Sequence, residues 1–551
     1  MPADWRLAQV IPIYKKDDPT EHSNHRLISL ASVFRKLLER SIHHFLIDHS
    51  LPLDIVQGGF RESRGSLDQA LCLAEICNIL RRHHRITPVL AFLDIKSAYD
   101  TEDRRQIWHT LEKTAPAVLI SLLRNLFDEV QIEVLLNITT STRFSSITGV
   151  LQGSILSPFL YSIYINELPR LLHLQPITAD ISPTELILRL NCLLYADDVV
   201  LIAAKADIPS FLKSCEDHSY KLGYRWNPSK CVILDPTQPS SSYTLYGEPI
   251  PKQPSFPYLG ISFRPGGYLD TVALVNQNKT KALATMNQLS AIDVHPNGFS
   301  PLLGTHFYSR IVRAQLEYGL AITKITTYLS KQLENAQNVC LRLIFGGSHT
   351  SSTAVMLHMS KLPTMQERAY ALQSQFLLPS LTLPEDALLH HLLPHIRQPR
   401  SHSQWYRLSR SPIWKRCLLD PESLDRRSLK STQRDYRQGN LDNKRSTHAS
   451  VLLQHCRPTI SRLCPMATYV QMHRRLMMPE TISDPLSFLL NMLPTKKPRS
   501  PNTTLSWTIR WPTICRILYE LDYLYHAKIP PTPPTHLGQR LLEWLPSFPS
   551  H

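Results

Sequence analysis

Two adjacent acidic residues, Asp197 and Asp198, lie between two apolar runs in the stretch CLLYADDVVLIAA. The flanking residues are typical of two short, largely buried strands, so we expect the acids at the turn of a β-hairpin. Neighbouring carboxylates repel each other and raise each other's pKa, which costs free energy unless a cation neutralises them. Because Asp is also common in exposed turns, the pair alone fits either a metal site or a solvent-facing turn.

A third acidic residue favours the metal site. The stretch VLAFLDI is typical of a buried strand that ends in Asp94, so this carboxylate would project from the strand end. Carboxylates from a strand and a neighbouring hairpin form the open oxygen-ligand site that Mg²⁺ prefers, with positions left for substrate phosphates. Two such ions stabilise both the attacking and the leaving oxygen of an in-line displacement. The three acids therefore indicate phosphoryl transfer.

The segments that must position these acids alternate between strand-like and helix-like patterns up to about residue 263, which predicts an α+β fold. Strands are expected at RLAQVIPIY, PVLAFLDI and SFPYLGISF, and helices at SLASVFRKLLERSIHHFLID, SLDQALCLAEICNILRRHH, DRRQIWHTLEKT, residues 116–128 and ILSPFLYSIYINELPRLLH. Residues 264–378 are predicted to be mainly helical. The helix SKQLENAQNVCLRLIFG is expected to end at Gly346 and Gly347.

The chain carries a net charge of +15, most of it in the last third. Residues 381–551 hold 24 Lys and Arg against 12 Asp and Glu, in short apolar segments broken by Pro and by basic doublets. Such an excess favours an anionic partner, nucleic acid before a membrane surface. A solvated surface that reflects only the base composition of the gene is the alternative. We expect this region to be a largely helical appendage that contacts phosphates.

The ten cysteines show no metal-ligand spacing. Cys456 and Cys464 have only His455 nearby, which is too few ligands for a zinc knuckle. The sequence contains no signal peptide and no apolar run of the roughly 20 residues that a membrane span needs. We therefore expect an intracellular protein with reduced thiols and no membrane partner.

Seven blocks in a fixed order resemble the reverse transcriptases of non-LTR (LINE-like) retrotransposons. In chain order they are IPIYKKDDPTEHSNHRLISL, QGGFRESRGSLDQAL, FLDIKSAYD, GVLQGSILSPFLYSIYINEL, LLYADDVVLIA, GYRWNPSKCVIL and YLGISF. The resemblance implies a right-hand polymerase, with fingers and palm in residues 1–263 and thumb-like helices in residues 264–378. Residues 379–551 would be a basic, mostly helical C-terminal extension of unknown function.

The resemblance also implies the roles of the catalytic residues. Asp94, Asp197 and Asp198, with the backbone carbonyl of Ile95, would hold two Mg²⁺ ions, with Mn²⁺ as an alternative. A primer 3′-hydroxyl would attack the α-phosphate of a deoxynucleotide. Lys230 would act as a general acid that protonates the leaving pyrophosphate.

Five further residues match nucleotide-binding positions of the family. Lys15 and Arg26 would clamp the triphosphate. Tyr99 would close the space at the sugar 2′ position and so favour deoxynucleotides. Gln152 and Gly153 precede a helix, where small residues and free N–H groups let the backbone approach a nucleotide. Each of these residues taken singly is also compatible with an ordinary surface or core position.

The implied activity is RNA-directed DNA polymerisation, with an RNA template, a DNA primer and dNTPs as partners, in the nucleus. This chain departs from the family at His25 and Leu27, which flank Arg26, and at Leu151, before Gln152. The first block begins ten residues into the sequence, which leaves no space for the endonuclease that relatives usually carry, so a separate endonuclease is expected as a partner. The main alternative is a truncated, inactive retroelement remnant that at most binds nucleic acid. A viral RNA-dependent RNA polymerase is a weaker one, against which Tyr99 and the YADD sequence both count.

Overall fold

A computed structural model describes residues 2–15, 18–21, 24–136, 138–173, 182–237, 242–296, 298–349, 351–419, 424–447, 476 and 500–526. The chain divides into two compact units. The first contains Met1–Asn278, Glu317–Leu329 and Ala369–Leu418, and the second contains Lys279–Leu316, Ser330–Arg368 and Leu419–His551. Every residue predicted above to take part in chemistry belongs to the first unit.

The strands all lie in the first unit. They are β1 (Leu7–Tyr14), β2 (His25–Ala31), β3 (Val89–Leu93), β4 (Gln131–Leu136), β5 (Thr139–Thr140), β6 (Phe144–Ser145), β7 (Cys192–Tyr195), β8 (Asp198–Ala203), β9 (Val232–Leu234), β10 (Thr244–Leu245), β11 (Glu248–Pro249), β12 (Phe256–Tyr258), β13 (Ile261–Arg264) and β14 (Tyr268–Leu269). Helices and strands are mixed along the chain, as the sequence predicts.

Among the residues that the structure describes, nine helices of the first unit lie between residues 33 and 222. They are α1 (Val33–Asp48), α2 (Ser66–His83), α3 (Ala98–Thr101), α4 (Arg104–Leu111), α5 (Ala117–Phe127), α6 (Ser157–Ile165), α7 (Glu167–Leu172), α8 (Pro183–Arg189) and α9 (Ile208–Leu222). Their ends follow local chemistry, since the Ser32 side chain accepts a hydrogen bond from the Arg35 N–H at the start of α1. Gly223, at φ +86°, ends α9 in the left-handed conformation.

The secondary-structure elements described in the later part of the chain are helices. Its helices are α10 (Thr271–Ala291), α11 (Pro301–Phe307), α12 (Arg313–Glu317), α13 (Thr327–Phe345), α14 (Thr353–Met359), α15 (Met365–Ser380), α16 (Leu388–Ile396), α17 (Gln404–Ser409), α18 (Pro412–Cys417), α19 (Arg426–Thr447) and α20 (Pro501–His526). A π-helical turn at Tyr308–Val312 joins α11 to α12. Helix α13 stops before Gly346, at φ +68°, so the predicted helix end is confirmed. Most of residues 448–551, including Cys456 and Cys464, lies outside the described residues.

The sheet that carries the predicted acids is antiparallel, with strand order β7–β8–β3–β9. All residues of β3 and β9 are buried, and only Asp198 of β8 is exposed. Such strands form continuous apolar runs in the sequence, which is why the strand at VLAFL and the acidic hairpin are predicted correctly.

A second sheet has the order β2–β1–β4–β5, with β6 also paired to β4. Strands β1 and β2 form an antiparallel hairpin, and β1 and β4 pair in parallel. Ala8 and Val10 of β1 pack with Val130, Ile132 and Leu151 in one buried cluster. Because Leu151 directly precedes Gln152, the packing of this cluster holds the start of the predicted nucleotide-binding loop in place.

Three sequence predictions of secondary structure need correction. The helix expected from residue 29 begins at Val33, because residues up to Ala31 pair with β1. The single helix expected over residues 155–173 is two, α6 and α7, which meet at Asn166. The strand expected at SFPYLGISF is a hairpin of β12 and β13, since Leu259 and Gly260 form a turn at φ +49° and +77°.

No helix among the described residues is both long enough and apolar enough to cross a membrane. The eight cysteines in this part of the chain are buried and free, and form no disulfide with one another: Cys72, Cys77, Cys192, Cys215, Cys231, Cys340, Cys417 and Cys515.

Candidate active site

The three predicted acids meet at one edge of the central sheet. Leu93 on β3 pairs with Val199 on β8, so Asp94, the residue after β3, and Asp198, the first residue of β8, lie at the same end of the two strands. The charge of Asp94 acts on Asp198, which agrees with this proximity. Asp197 occupies the turn of the β7–β8 hairpin, where Tyr195 pairs with Asp198. Residues separated by about 100 positions are therefore neighbours.

The pKa values of the acids report how the protein surrounds them. Burial, together with the charges of Asp197 and Asp94, raises the pKa of Asp198 to about 6; the side chain still reaches solvent, as expected in a cleft. Burial also raises the pKa of Asp94, and the Asp197 charge adds to this effect. Burial likewise raises the pKa of Asp197. The three groups therefore share one electrostatic environment in which negative charge is unfavourable.

The acids suit a hard divalent cation in their chemistry, because carboxylate oxygens are the ligands that Mg²⁺ prefers and a cation would relieve their repulsion. No group of three or more His, Cys, Asp or Glu side chains in the described part of the chain is already arranged to hold a metal ion.

The hairpin turn that carries the acids is held by residues to which the sequence analysis assigns no role. Gln57 Oε1 accepts hydrogen bonds from the N–H groups of Ala196 (3.3 Å) and Gly59 (3.1 Å). Gln69 Nε2 donates to the Leu194 carbonyl (3.0 Å). A Cβ atom on Gly59 would lie 2.4 Å from the Ala196 nitrogen, so only glycine permits this approach. The block QGGFRESRGSLDQAL contains all these residues, and its function here is to position the acidic turn.

Lys230 lies on the other side of Asp94. The Asn227 N–H donates to the Asp94 carbonyl (2.8 Å), and the Lys230 N–H closes a turn onto the Asn227 carbonyl (3.0 Å). The Lys230 charge acts to lower the pKa of Asp94. Ile95 and Trp226 form an isolated antiparallel β-bridge. The two hydrogen bonds of this bridge are made by the residues on either side of Ile95, so neither bond uses the Ile95 carbonyl.

Lys15 and Arg26 lie on the hairpin of β1 and β2. Both side chains are exposed, and Arg26 pairs with Ile13 across the hairpin. The Lys15 charge acts to lower the pKa of Asp94, and the Arg26 charge acts to lower that of Asp197. This hairpin therefore brings two cations within electrostatic range of the acids.

Tyr99 lies in α3, close to the acids. Its ring stacks on that of Tyr161, with centroids 5.3 Å apart and planes at 17°. Burial, followed by the Asp197 charge, raises the pKa of the Tyr99 hydroxyl. The Tyr161 hydroxyl is fully buried and has no hydrogen-bond partner among the described residues. Tyr99 is thus supported from behind by a buried aromatic ring.

Gln152 and Gly153 are fixed against β2. The Ser29 N–H donates to the Gln152 carbonyl (2.8 Å). Gly153 adopts φ +140°, and a Cβ atom there would lie 2.3 Å from the Ser29 carbonyl oxygen. The loop therefore follows the strand that carries Arg26, so the two predicted nucleotide-binding elements form one assembly.

A buried ion pair ties the same loop to α1, and the sequence analysis misses it. Arg35 Nε donates to Glu39 Oε1 (2.7 Å), with both side chains fully buried. Glu39 Oε2 accepts hydrogen bonds from the Ser154 hydroxyl (2.9 Å) and from the Ile155 N–H (2.7 Å). The only sequence signal is an Arg and a Glu spaced i, i+4 on a helix, which usually indicates an exposed pair.

Comparison with known proteins places this geometry in a wider setting. Residues 13–263 match the family described as "Reverse transcriptase (RNA-dependent DNA polymerase)". The RNA-directed DNA polymerase from mobile element jockey of Drosophila melanogaster is 24% identical over 400 residues, which cover 68% of this chain and 42% of that protein. The probable RNA-directed DNA polymerase from transposon X-element of the same organism is 27% identical over 290 residues, covering 47% of this chain and 29% of that protein. The match thus spans less than half the length of these curated relatives.

Among solved structures, apo telomerase from Candida tropicalis matches with a TM-score of 0.35 and 11% sequence identity, over 74% of this chain and 70% of that one.

Proposed function

We propose that this chain is an RNA-directed DNA polymerase of the non-LTR retrotransposon type, since its residues 13–263 match the reverse transcriptase family. The proposal rests on one observation above all. Asp94, directly after β3, and Asp198, at the start of β8, lie at the same end of one sheet, so acids of two distant blocks come together there.

Different residues of the chain bind different parts of the incoming nucleotide. Lys15 and Arg26 bind the triphosphate of an incoming dNTP, because their charges reach the acidic edge from the β1–β2 hairpin. Tyr99 contacts the sugar and excludes a 2′-hydroxyl, and its ring is held rigid by Tyr161. Gln152 and Gly153 contact the nucleotide through the backbone.

Asp94, Asp197 and Asp198, with the Ile95 carbonyl, would hold two divalent cations, Mg²⁺ or Mn²⁺. When bound, such ions would supply charge stabilisation at the attacking and leaving oxygens of an in-line displacement.

Lys230 donates a proton to the leaving pyrophosphate. Its position supports this role, because it follows a turn whose first residue, Asn227, is hydrogen-bonded to the backbone of Asp94. A general acid must lie within hydrogen-bond reach of the group that it protonates, and this turn keeps the lysine beside the acids.

The proposal also covers the domain organisation, the template and primer, and the cellular location of the activity. Residues 1–263 form the fingers and palm, residues 264–378 a thumb-like region, and residues 379–551 a basic extension. The template is RNA and the primer is DNA, copied in the nucleus. Nicking of the target is supplied by a separate endonuclease.

The competing hypothesis is a truncated, inactive remnant that at most binds nucleic acid. The presence of all the predicted acids and basic residues favours the polymerase.

Primer extension separates the two hypotheses. The purified chain is given an RNA template, a labelled DNA primer, the four dNTPs and Mg²⁺, with an EDTA-treated reaction and a reaction lacking template as controls. The polymerase hypothesis predicts template-dependent extension that EDTA abolishes. Binding of the primer–template without extension in either Mg²⁺ or Mn²⁺ would favour the remnant.

A further inference from the structure

A cavity in the first unit lies outside the candidate active site. Its volume is about 510 Å³, and it lies between the C-terminal half of α2, the β13–β14 turn and α17. Six basic side chains line it: Arg81, Arg82, Arg264, Lys324, His402 and Arg407. A concave site with charges of one sign focuses the electric field and attracts ligands of the opposite sign.

The positive charge in this cavity is not neutralised. None of its five Arg and Lys side chains forms an ion pair with a carboxylate in the part of the chain that the structure describes. Arg81 donates to the Gly266 carbonyl and stacks on the Tyr268 ring at 3.8 Å, and Arg82 Nε donates to Asn78 Oδ1 (3.1 Å). These contacts orient the two guanidinium groups without reducing their charge.

Three of the basic side chains have no fixed partner. Arg264, Lys324 and Arg407 are exposed, and their side chains make no hydrogen bond or ion pair with any described residue. Their donors remain available to a ligand.

The cavity contains one acidic residue, Glu75. Its carboxylate is fully buried, and Oε1 accepts a hydrogen bond from the Trp405 N–H (2.8 Å). Burial raises the pKa of Glu75 to about 7, so part of the population is neutral near physiological pH. Glu75 therefore does not cancel the charge of the basic residues.

The cavity is remote from the acidic edge. Arg81 contacts Gly266, and a Cβ atom on Gly266 would lie 3.2 Å from the Thr87 methyl group. Thr87 precedes β3, whereas Asp94 follows its far end. The seven residue steps between them span about 23 Å of extended chain. A ligand in the cavity therefore does not occupy the nucleotide site.

The donors define the ligand. Arginine guanidinium groups recognise phosphate oxygens through paired hydrogen bonds, and lysine supplies a point charge. Basic side chains interleaved with an exposed aromatic ring, here Tyr268, are typical of grooves that follow a single-stranded polynucleotide. We propose that this cavity binds backbone phosphates of single-stranded RNA at a site separate from the acidic edge. The choice of RNA over a free nucleotide rests on the proposed function.

The test measures binding by the full chain, without dNTPs or divalent cations, so that it does not depend on polymerase activity. The probe is a fluorescein-labelled single-stranded RNA of about 20 nucleotides. Fluorescence anisotropy is recorded between about 50 and 400 mM salt, because affinity that depends on phosphate contacts falls steeply with salt concentration. The test variant combines Arg264→Gln, Lys324→Gln and Arg407→Gln. The control variant combines Arg40→Gln, Lys113→Gln and Lys415→Gln, which remove three exposed charges of the same unit that do not line the cavity.

Loss of three phosphate contacts should reduce the slope of log affinity against log salt concentration by about 2, since each contact contributes a slope of about 0.7. Binding should then weaken by about 100-fold at about 0.1 M salt. The control variant should bind within about threefold of the wild type, and Arg264→Lys with Arg407→Lys should restore most of the affinity. Equal losses in the test and control variants, or no loss in either, would overturn the proposal.

A second probe distinguishes the source of the phosphate. Binding of a fluorescent ATP analogue is measured on the same variants. If the test variant loses nucleotide binding but keeps RNA affinity, the cavity is a free-nucleotide site and the RNA proposal is wrong. Should the triple variant fail to fold, Arg264→Gln alone, compared with Arg40→Gln, is expected to give a slope change of about 0.7, and no difference between them would overturn the proposal.

Discussion

Leu93 on β3 lies opposite Val199 on β8, and this pairing brings Asp94 and Asp198, the residues next to them, to the same end of the sheet. All residues of β3 and the aliphatic residues of β8 are buried. Close packing of these side chains holds the pairing, so the hydrophobic core sets the position of the acids.

Gly153 is expected to be intolerant of a side chain. Gly153→Ala would combine an unfavourable φ of +140° with a contact of 2.3 Å to the Ser29 carbonyl. Gly223→Ala is the matched control, because Gly223 also has a positive φ, +86°, but no neighbour within 4 Å. Chemical denaturation should show a loss of about 1 kcal/mol for Gly223→Ala, from backbone strain alone, and a clearly larger loss for Gly153→Ala. Equal losses would mean that the approach of Ser29 is unimportant.

Glu39→Gln should destabilise the protein strongly. It leaves the Arg35 guanidinium buried without its carboxylate, and breaking a buried pair in this way costs about 3–5 kcal/mol. The control is Arg105→Gln, which removes an ion pair that is almost fully exposed on the arginine side and should leave the unfolding midpoint nearly unchanged. A small effect of Glu39→Gln would show that the ion pair does not hold the loop at Ser154.

Tyr99→Val should increase the incorporation of ribonucleotides relative to deoxynucleotides by about tenfold or more, in the range that removal of a small group from a pocket produces. The control is Tyr161→Phe, which keeps the supporting ring and removes only a hydroxyl that has no partner among the described residues. Single-nucleotide incorporation kinetics measure the ratio. An unchanged ratio in a Tyr99→Val enzyme that still polymerises would exclude Tyr99 from sugar selection.

Glu75 should make stability dependent on pH. Burial raises its folded-state pKa from 4.5 to about 7, so the folded state binds more protons than the unfolded state between these values. Stability should therefore fall as the pH rises from about 4.5 to about 7, by about 3 kcal/mol, because each pKa unit is worth 1.36 kcal/mol. Glu75→Gln should flatten the profile of unfolding free energy against pH, and Glu248→Gln, an exposed residue of β11, should not.

The sequence predicts those parts of the site whose signal is local. Strand β3 and the acidic hairpin are continuous apolar runs, so their ends, and with them the three acids, are found from the residue pattern. Strand β2 is missed because only Ser29 among its seven residues is buried, while Arg26 and Leu30 are exposed, and only pairing with β1 makes it a strand. The SFPYLGISF hairpin is predicted as one strand, because the turn at Leu259 uses a positive φ that leucine rarely adopts.

The supporting contacts depend on parts of the chain that are distant in sequence. Glu39 is buried by Ser154 and Ile155, about 115 positions away, and Gln57 reaches a turn 139 positions away. No periodicity in the sequence encodes such contacts, and polar residues of this kind are normally assigned to the surface.

The most direct test of the account is single-nucleotide primer extension by Asp197→Asn with Mg²⁺, measured together with the affinity for a primer on an RNA template. Asp217→Asn, a change on the exposed part of α9, serves as the control. We expect Asp197→Asn to slow extension by at least about 1,000-fold, since loss of a charged ligand removes several kcal/mol of transition-state stabilisation, while affinity stays within about twofold of the wild type. Extension by Asp197→Asn at the rate of the control would contradict the assignment of the catalytic site.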